Sequence, residues 1–245
     1  MADVNKQSWY GVEAILSLGL VVSAFVSGRA LEKMRSATDG VTVKGVAETE
    51  ISSDLATWRG MLSARAKDMV DGYDKIELHL TTTINFLLKL GITEEAIEEG
   101  TINISTQFKR NDKGHTTSEI EGYTLTQTFT VTTTDVALAK RLAKESTQLI
   151  REGIAFRSYP PSYYFTKLED LKLDLLEGAA ENAKLRAERL AKSSGNRVAN
   201  IISASQGIFQ ITQRNSTETA SWGMYDTSTI EKKVRAVVTM RYRTE

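Results

Sequence analysis

Residues 123–132 read Tyr-Thr-Leu-Thr-Gln-Thr-Phe-Thr-Val-Thr and form the most regular stretch of the chain. Every second residue is a threonine, and the residues between them are large and, except for Gln127, mainly apolar. Because successive side chains of a strand point to opposite faces, this alternation predicts a strand with one buried and one solvated face. Threonine is β-branched and suits a solvated strand face. The stretch therefore predicts a sheet that covers a core on one side only.

Strand and helix signals precede and follow this stretch. Residues 41–48 and 55–66 predict two strands, and the apolar stripe over 68–90 predicts a helix that Gly91 ends. Ile102, Ile104 and Phe108 mark a strand that a polar hairpin tip joins to the threonine strand, and Asp135 caps a second helix. This half of the chain therefore has the order β-β-α-β-β-α.

The C-terminal half predicts the order β-α-β-β. Its first strand contains Pro160 and Pro161, which fit only at a sheet edge or in a turn. An alanine-rich helix over residues 170–194 follows, and small residues along it allow close approach to a sheet. A strand region at 198–211 and an alternating strand at 234–242 complete the chain.

Together these elements predict an α+β fold of antiparallel sheets with helices packed on one face. The fold occupies residues 41–245, either as one domain or as two subdomains, 41–152 and 153–245. Residues 1–40 precede it as a separate N-terminal segment with its linker. The length of the folded part is sufficient for a proper hydrophobic core in either arrangement.

The N-terminal segment contains an uncharged, mostly apolar run over residues 14–28. Adding residues 9–12, with Glu13 included, reaches the roughly 20 residues that cross a bilayer. This predicts an uncleaved, single-pass membrane helix. A cleaved signal peptide would use the same run, and a buried helix of a soluble protein is a third interpretation. The positive charges after the run favour a cytoplasmic location of the folded part, but acidic residues lie among them, so charge alone is compatible with either side of the membrane.

Composition excludes several classes of function. Lysine plus arginine equals aspartate plus glutamate, 31 against 31, so no net field favours nucleic acid. Cysteine is absent, which excludes disulfides and thiolate chemistry. The two histidines, His79 and His115, have no carboxylates at ligand spacing, and no nucleophile elbow or phosphate-binding glycine loop is present. The sequence predicts a protein that is not an enzyme and has no cofactor, no metal and no catalytic residue.

Five aromatic residues are candidates for contact with a neighbouring subunit: Tyr159, Tyr163, Tyr164, Trp222 and Tyr225. Three of them flank the proline pair, and the other two lie in the polar stretch 213–229. Aromatic residues are favoured anchors at protein interfaces. The alternative interpretation is that they fold back onto the core of their own subunit.

Short motifs are distributed over the whole folded part. They are Val41-x-Val-x-Gly45 with Ser53-Asp54-Leu-Ala56, Gly122-Tyr123 with Gln127-x-Phe129-x-Val131, and Ala179-Ala180-x-x-Ala183-x-x-x-Ala187-Glu188-x-Leu190-Ala191 followed by Gly195. In their order and spacing these motifs resemble the SIMPL-domain family of bacterial envelope proteins. The sequence departs from the family at Ser53, where a proline is usual, and at the unusual segment 154–164.

The resemblance implies an exported envelope protein that assembles into ring-like or channel-like homo-oligomers, in a family with some members linked to protection against oxidative stress. It carries no catalytic residues over to this chain. We therefore expect a non-enzymatic inner-membrane protein with its folded part in the periplasm and copies of itself as its partner. The alternatives are a periplasmic stress protein that binds a ligand in a groove between sheet and helices and, for location, a soluble periplasmic protein after signal cleavage.

Overall fold

The computed structural model describes residues 19–29, 40–218 and 220–245. The strands are β1 (Gly40–Ser52), β2 (Leu55–Ala66), β3 (Ile97–Arg110), β4 (Thr116–Thr133), β5 (Ala155–Ser158), β6 (Ser162–Tyr164), β7 (Val198–Gln206), β8 (Gln210–Gln213), β9 (Met224–Tyr225) and β10 (Glu231–Thr244). The α-helices are α1 (described over residues 19–29), α2 (Met69–Lys89), α3 (Val136–Glu145) and α4 (Leu168–Ser193). Two short 3₁₀ turns lie at Glu94–Ala96 and Ser146–Ile150.

The strands form two sheets, so the predicted α+β class is confirmed. One sheet has the order β1-β10-β8-β9, with β7 also paired to β10, and the other has the order β3-β4-β2, with β5 and β6 both paired to β2. The first half follows the predicted order β-β-α-β-β-α. Since β5 and β6 pair with consecutive stretches of β2, Pro160 and Pro161 interrupt one edge strand, as their chemistry requires.

The expectation of purely antiparallel sheets is wrong at one place. β8 and β9 pair in parallel, with Gln210 opposite Met224 and Ile211 opposite Tyr225. The polar segment between them carries the chain back to its starting side, so the second strand runs in the same direction as the first. The second half therefore has more and shorter strands than the predicted order β-α-β-β.

The chain divides into two compact units that interleave along the sequence. Unit I contains the described residues up to Ala47 together with 174–208 and 236–245, and unit II contains 48–173 and 209–235. The ends of the chain contribute to the same unit because β1 and β10 are neighbours in one sheet. This partition differs from the division at residue 152 that the linear order of elements suggests.

The core of unit II lies on one face of β2 and β4, under α2 and α3. The alternating side chains of β4 are buried from Leu125 to Val131, as predicted, and Phe129 packs edge-on against Trp58 with ring centroids 5.6 Å apart. Leu142 of α3 is fully buried in the same cluster. Both helices therefore cover the face that the threonines do not occupy.

Helix α2 begins where the sequence predicts, but the residues of its first turn that face the sheet differ from those predicted. The Asp68 carboxylate accepts hydrogen bonds from the first backbone N–H groups, and Gly91, with a positive φ of 99°, follows the helix end. Met69 and Tyr73, predicted as part of the apolar stripe, are about half exposed. Gly72 is buried against Leu125 instead, so the first turn approaches the sheet through a residue without a side chain.

The alanine-rich helix of unit I packs closely against β1. Its buried residues are Leu175, Ala179, Ala183, Ala187 and Ala191. A Cβ added to Gly45 of β1 would lie 2.6 Å from the backbone nitrogen of Ala183, so strand and helix backbones are nearly in contact. Gly195, with a φ of 79°, ends the helix region as predicted.

Part of the predicted membrane anchor lies outside the described residues, namely residues 9–18, as does the linker 30–39. Residues 19–29 are helical, and large apolar side chains on α1 such as Leu20 and Phe25 are exposed. Within the described residues, no helix is both long enough and apolar enough to span a membrane. The anchor and the signal peptide both stay predictions.

Candidate functional site

The two histidines do not meet in the structure. His115 is exposed beside the β3–β4 turn, whereas His79 is partly buried on α2. Burial lowers the pKa of His79, and the positive charge of Lys75 lowers it further. Among the residues that the structure describes, no group of three or more histidine, aspartate or glutamate side chains is placed to hold a metal ion.

One cleft of unit II lies beside the first turns of α2. It has a volume of about 610 Å³, and its lining includes Arg65, Lys67, Asp71, Lys75, Glu121 and Tyr123. Lys75 pairs with Asp71 at 3.1 Å on the helix surface. The volume lies within the range of small-molecule sites, although most of its charged side chains are exposed to solvent. This cleft is the candidate for the ligand-binding groove that the alternative function predicts between sheet and helices.

A buried ion pair fixes the segment that leads into β10. The Lys232 side chain is 1% exposed, and its ammonium donates to the Thr229 carbonyl and lies 3.6 Å from the Asp226 carboxylate. Burial raises the pKa of Asp226, but hydrogen bonds from Ser228 and Thr229, with the charge of Lys232, outweigh it and lower the pKa to about 2. Burial also lowers the pKa of Lys232, which the carboxylate partly offsets. Both charges are satisfied within the fold, as a structural pair requires.

The five predicted subunit contacts lie in different environments. Tyr163 is buried with Ala56 and Ala139. The ring of Tyr159 is covered by the Arg59 guanidinium at 4.4 Å, and Tyr164 is half-buried. These three residues therefore make contacts within unit II, and their role as subunit contacts stays a prediction.

Trp222 and Tyr225 remain exposed, and the structure brings them together. Trp222 is 83% exposed and Tyr225 is 45% exposed, so neither has folded back onto the core. Both line one surface cleft, of about 750 Å³, in the loop around β9. They keep the role of candidate contacts that the sequence predicts, which the structure leaves untested.

Sequence reasoning missed an exposed apolar surface of unit II, the far part of the β3–β4 hairpin. Residues 103–121, called the arm below, are exposed throughout apart from Thr117, which is half-buried. Ile104, Phe108 and Ile120 expose between 43% and 51% of their surface. The structure shows strands of 14 and 18 residues here, which greatly exceed the usual five or six, whereas the apolar residues in the sequence mark a strand without showing whether a helix covers it.

The arm continues the face of the sheet that α2 covers nearer the core. Ile104 lies opposite Leu125, which is fully buried, and Phe108 lies opposite Ile120. The same face is thus buried at Leu125 and uncovered farther out. Within the described part of the chain, the apolar side chains of the arm stay about half exposed to water.

The folded part matches a known protein family over most of its length. The family, described as SIMPL, a protein of unknown function (DUF541), matches residues 41–242. No curated protein matches the chain. The family description names no activity, so it assigns no role to the clefts, the ion pair or the arm.

Proposed function

The chain belongs to the SIMPL family, and we propose that it is a non-enzymatic, membrane-anchored envelope protein that assembles into a ring-like or channel-like homo-oligomer. The folded part would lie in the periplasm, on the outer side of the inner membrane, where protection against oxidative or envelope stress is a fitting role. The arm is the observation that carries the proposal. A cleaved signal peptide would leave the same assembly soluble in the periplasm.

Two features of the arm support self-assembly. An isolated two-stranded ribbon is marginally stable in water, so a long ribbon gains from being covered. Ile104, Phe108 and Ile120 are each about half exposed, and covering each of them is worth on the order of 1 kcal/mol. In a homo-oligomer, a neighbouring copy of the chain can cover the arm of every subunit.

The membrane segment favours the same outcome. Subunits held in one membrane meet in the same plane and at a raised effective concentration. Weak contacts between arms are then sufficient for association. The apolar side chains exposed on α1 are compatible with burial in lipid.

The test is the native mass of the detergent-extracted full-length chain, compared with a variant carrying Phe108→Thr and Ile120→Thr. We expect a discrete oligomer for the natural chain and a smaller species for the variant, because the variant lacks two of the three exposed apolar side chains of the arm. Val237→Thr offers a matched control of one apolar-to-threonine change outside the arm. A monomeric natural chain at every concentration would overturn the proposal.

The cleft beside α2 favours a second candidate, a periplasmic protein that binds a small ligand. Arg65 and Lys67 form no ion pair with any described residue, so they are available to a carboxylate, while Tyr123 offers an aromatic surface. An amphipathic carboxylic acid fits this combination. Ligand-dependent stabilisation in a thermal-shift series that Arg65→Ala abolishes would support this candidate.

A further inference from the structure

We propose that two copies of the chain pair through their β3 strands, antiparallel, about a two-fold axis at Ile104. The proposal rests on self-assembly and adds the surface, the strand direction and the register. The partner is a second copy of this chain. The pairing would join two sheets into one continuous sheet across the axis, and because a two-fold contact closes on itself, it would supply the dimer from which a larger ring is built.

The first observation is the free edge. β3 is the outermost strand of its sheet and pairs only with β4 among the described strands. It has 14 residues and contains no proline. A long exposed edge presents a row of backbone N–H and C=O groups that another strand can bind.

The opposite edge of the same sheet is protected. It consists of β5 and β6, of four and three residues, separated by Pro160 and Pro161. These are the two prolines of the whole chain. Proline and short strands prevent edge pairing, so the sheet is blocked at one side and open at the other.

The charges of β3 specify the direction of pairing. Glu98 and Glu99 lie near its start, and Lys109 and Arg110 lie at its end. When Ile104 lies opposite its own copy in an antiparallel pair, the acidic end of each strand meets the basic end of the other. Parallel pairing in register would place like charges together, which destabilises a sheet.

The irregularity of β3 between Glu99 and Ile102 does not prevent the acidic end of one strand from meeting the basic end of the other. There β3 has one residue more than β4, which moves the acidic pair by one position relative to a regular strand. Two adjacent acids against two adjacent bases tolerate such a shift. The register is therefore defined at Ile104 and matched in charge at both ends.

Most of these charges are unpaired within one subunit. Glu98, Glu99 and Arg110 form no salt bridge with any residue that the structure describes. Lys109 pairs with Glu119 across the arm at 2.9 Å, and both side chains are more than half exposed. Exposed pairs contribute little, so Lys109 exchanges partners at small cost.

The apolar residues of β3 agree with the same register. Ile104 meets Ile104 on the axis, and Ile102 lies opposite Thr106 of the other copy. Phe108 then lies near Gly100, an arrangement in which an aromatic ring covers the gap beside a strand glycine. The exposed face of the arm is thus partly covered by the pairing that the charges specify.

The test exchanges the charges of the strand in the full-length chain. One variant carries Glu98→Lys and Glu99→Lys, which makes the strand wholly basic, and the other carries Lys109→Glu and Arg110→Glu, which makes it wholly acidic. All four positions are exposed, so far-UV circular dichroism should show an unchanged fold. We expect each variant alone to associate at least about tenfold more weakly than the natural chain, and a one-to-one mixture to recover association.

Glu177→Lys with Glu181→Lys is the matched control, because it changes the charge equally at exposed positions of α4. It should associate like the natural chain. Association of both β3 variants at natural strength, or failure of their mixture to recover it, would overturn the β3 pairing while self-assembly stood. A monomeric natural chain would overturn self-assembly itself.

Discussion

At the residue scale, the structure places one charged pair inside unit II, formed by Lys232 and Asp226. Lys232 is almost fully buried, and Asp226 is its counter-charge and the acceptor of hydrogen bonds from Ser228 and Thr229. Removing one member of a buried pair leaves the other without compensation, which costs more than the pair contributes. We therefore expect the pair to contribute to the stability of unit II.

The acid limb of the stability curve tests this role. The pKa of Asp226 is lowered from 3.8 to about 2 by folding, so its contribution of about 2 kcal/mol is present above pH 4 and is lost as the pH falls toward 2. Asp226→Asn should remove this part of the pH dependence and lower stability at neutral pH. The measurement is thermal unfolding between pH 2 and pH 7.

Glu169→Gln is the control for the Asp226 change, because Glu169 forms an exposed pair with Lys172 on α4. It should alter stability by less than about 0.5 kcal/mol at any pH. If Asp226→Asn left the pH dependence of stability between pH 2 and pH 4 unchanged, the proposed contribution of this carboxylate to stability would be wrong.

At the element scale, the contact between β1 and α4 depends on the absence of a side chain. Gly45 lies against the backbone of Ala179 and Ala183, and the buried face of α4 is mainly alanine. Small residues on both elements permit an approach that larger side chains would prevent. The contact is therefore sensitive to single methyl groups.

A pair of glycine substitutions tests this contact. Gly45→Ala should destabilise the protein by about 1–3 kcal/mol, since the new methyl group meets backbone atoms that cannot move aside. Gly178→Ala, inside α4, should be neutral or stabilising by up to about 1 kcal/mol, because its methyl group meets only Ala47 at 3.4 Å. Chemical denaturation of both variants measures the difference, and equal effects would contradict the close approach.

The elements that the sequence predicts well are those in which one pattern determines both structure and burial. The alternation of β4 fixes its buried face, and the alanine stripe of α4 fixes which side packs. The start of α2 fails because Gly72, which has no hydropathy signal, replaces Met69 and Tyr73 in the contact with the sheet. Hydrophobic periodicity depends on apolar side chains, so it does not detect a close contact made by a glycine, which has no side chain.

Pairings between distant segments are the other part that the sequence left open. The parallel pair β8–β9 and the neighbouring positions of β1 and β10 depend on where loops return, which no local pattern specifies. The arm illustrates the same difficulty, since Ile104 and Phe108 mark a strand equally well whether or not a helix covers them. Of the candidate contacts, the aromatic signal found Trp222 and Tyr225 as exposed residues but also selected the buried Tyr163.

At the scale of the whole molecule, we propose that a member of a family of unknown function pairs with a second copy of itself. The family match covers residues 41–242, and the uncovered apolar arm and the open edge of β3 both lie within it. An edge with complementary charges at its two ends is suited to an antiparallel partner of identical sequence. We therefore propose that the chain assembles with a second copy through antiparallel pairing of their β3 strands.

The most direct measurement uses the absence of cysteine from the chain. Ile104→Cys places the one thiol of each subunit on the proposed two-fold axis, where opposite Cα atoms are about 4.5–5.5 Å apart, a separation at which a disulfide can form. Mild oxidation of the full-length protein should give a covalent dimer, whereas Ser118→Cys, at an exposed position of β4 away from the axis, should give little. A chain that assembles but gives no more dimer from Ile104→Cys than from Ser118→Cys would contradict the pairing.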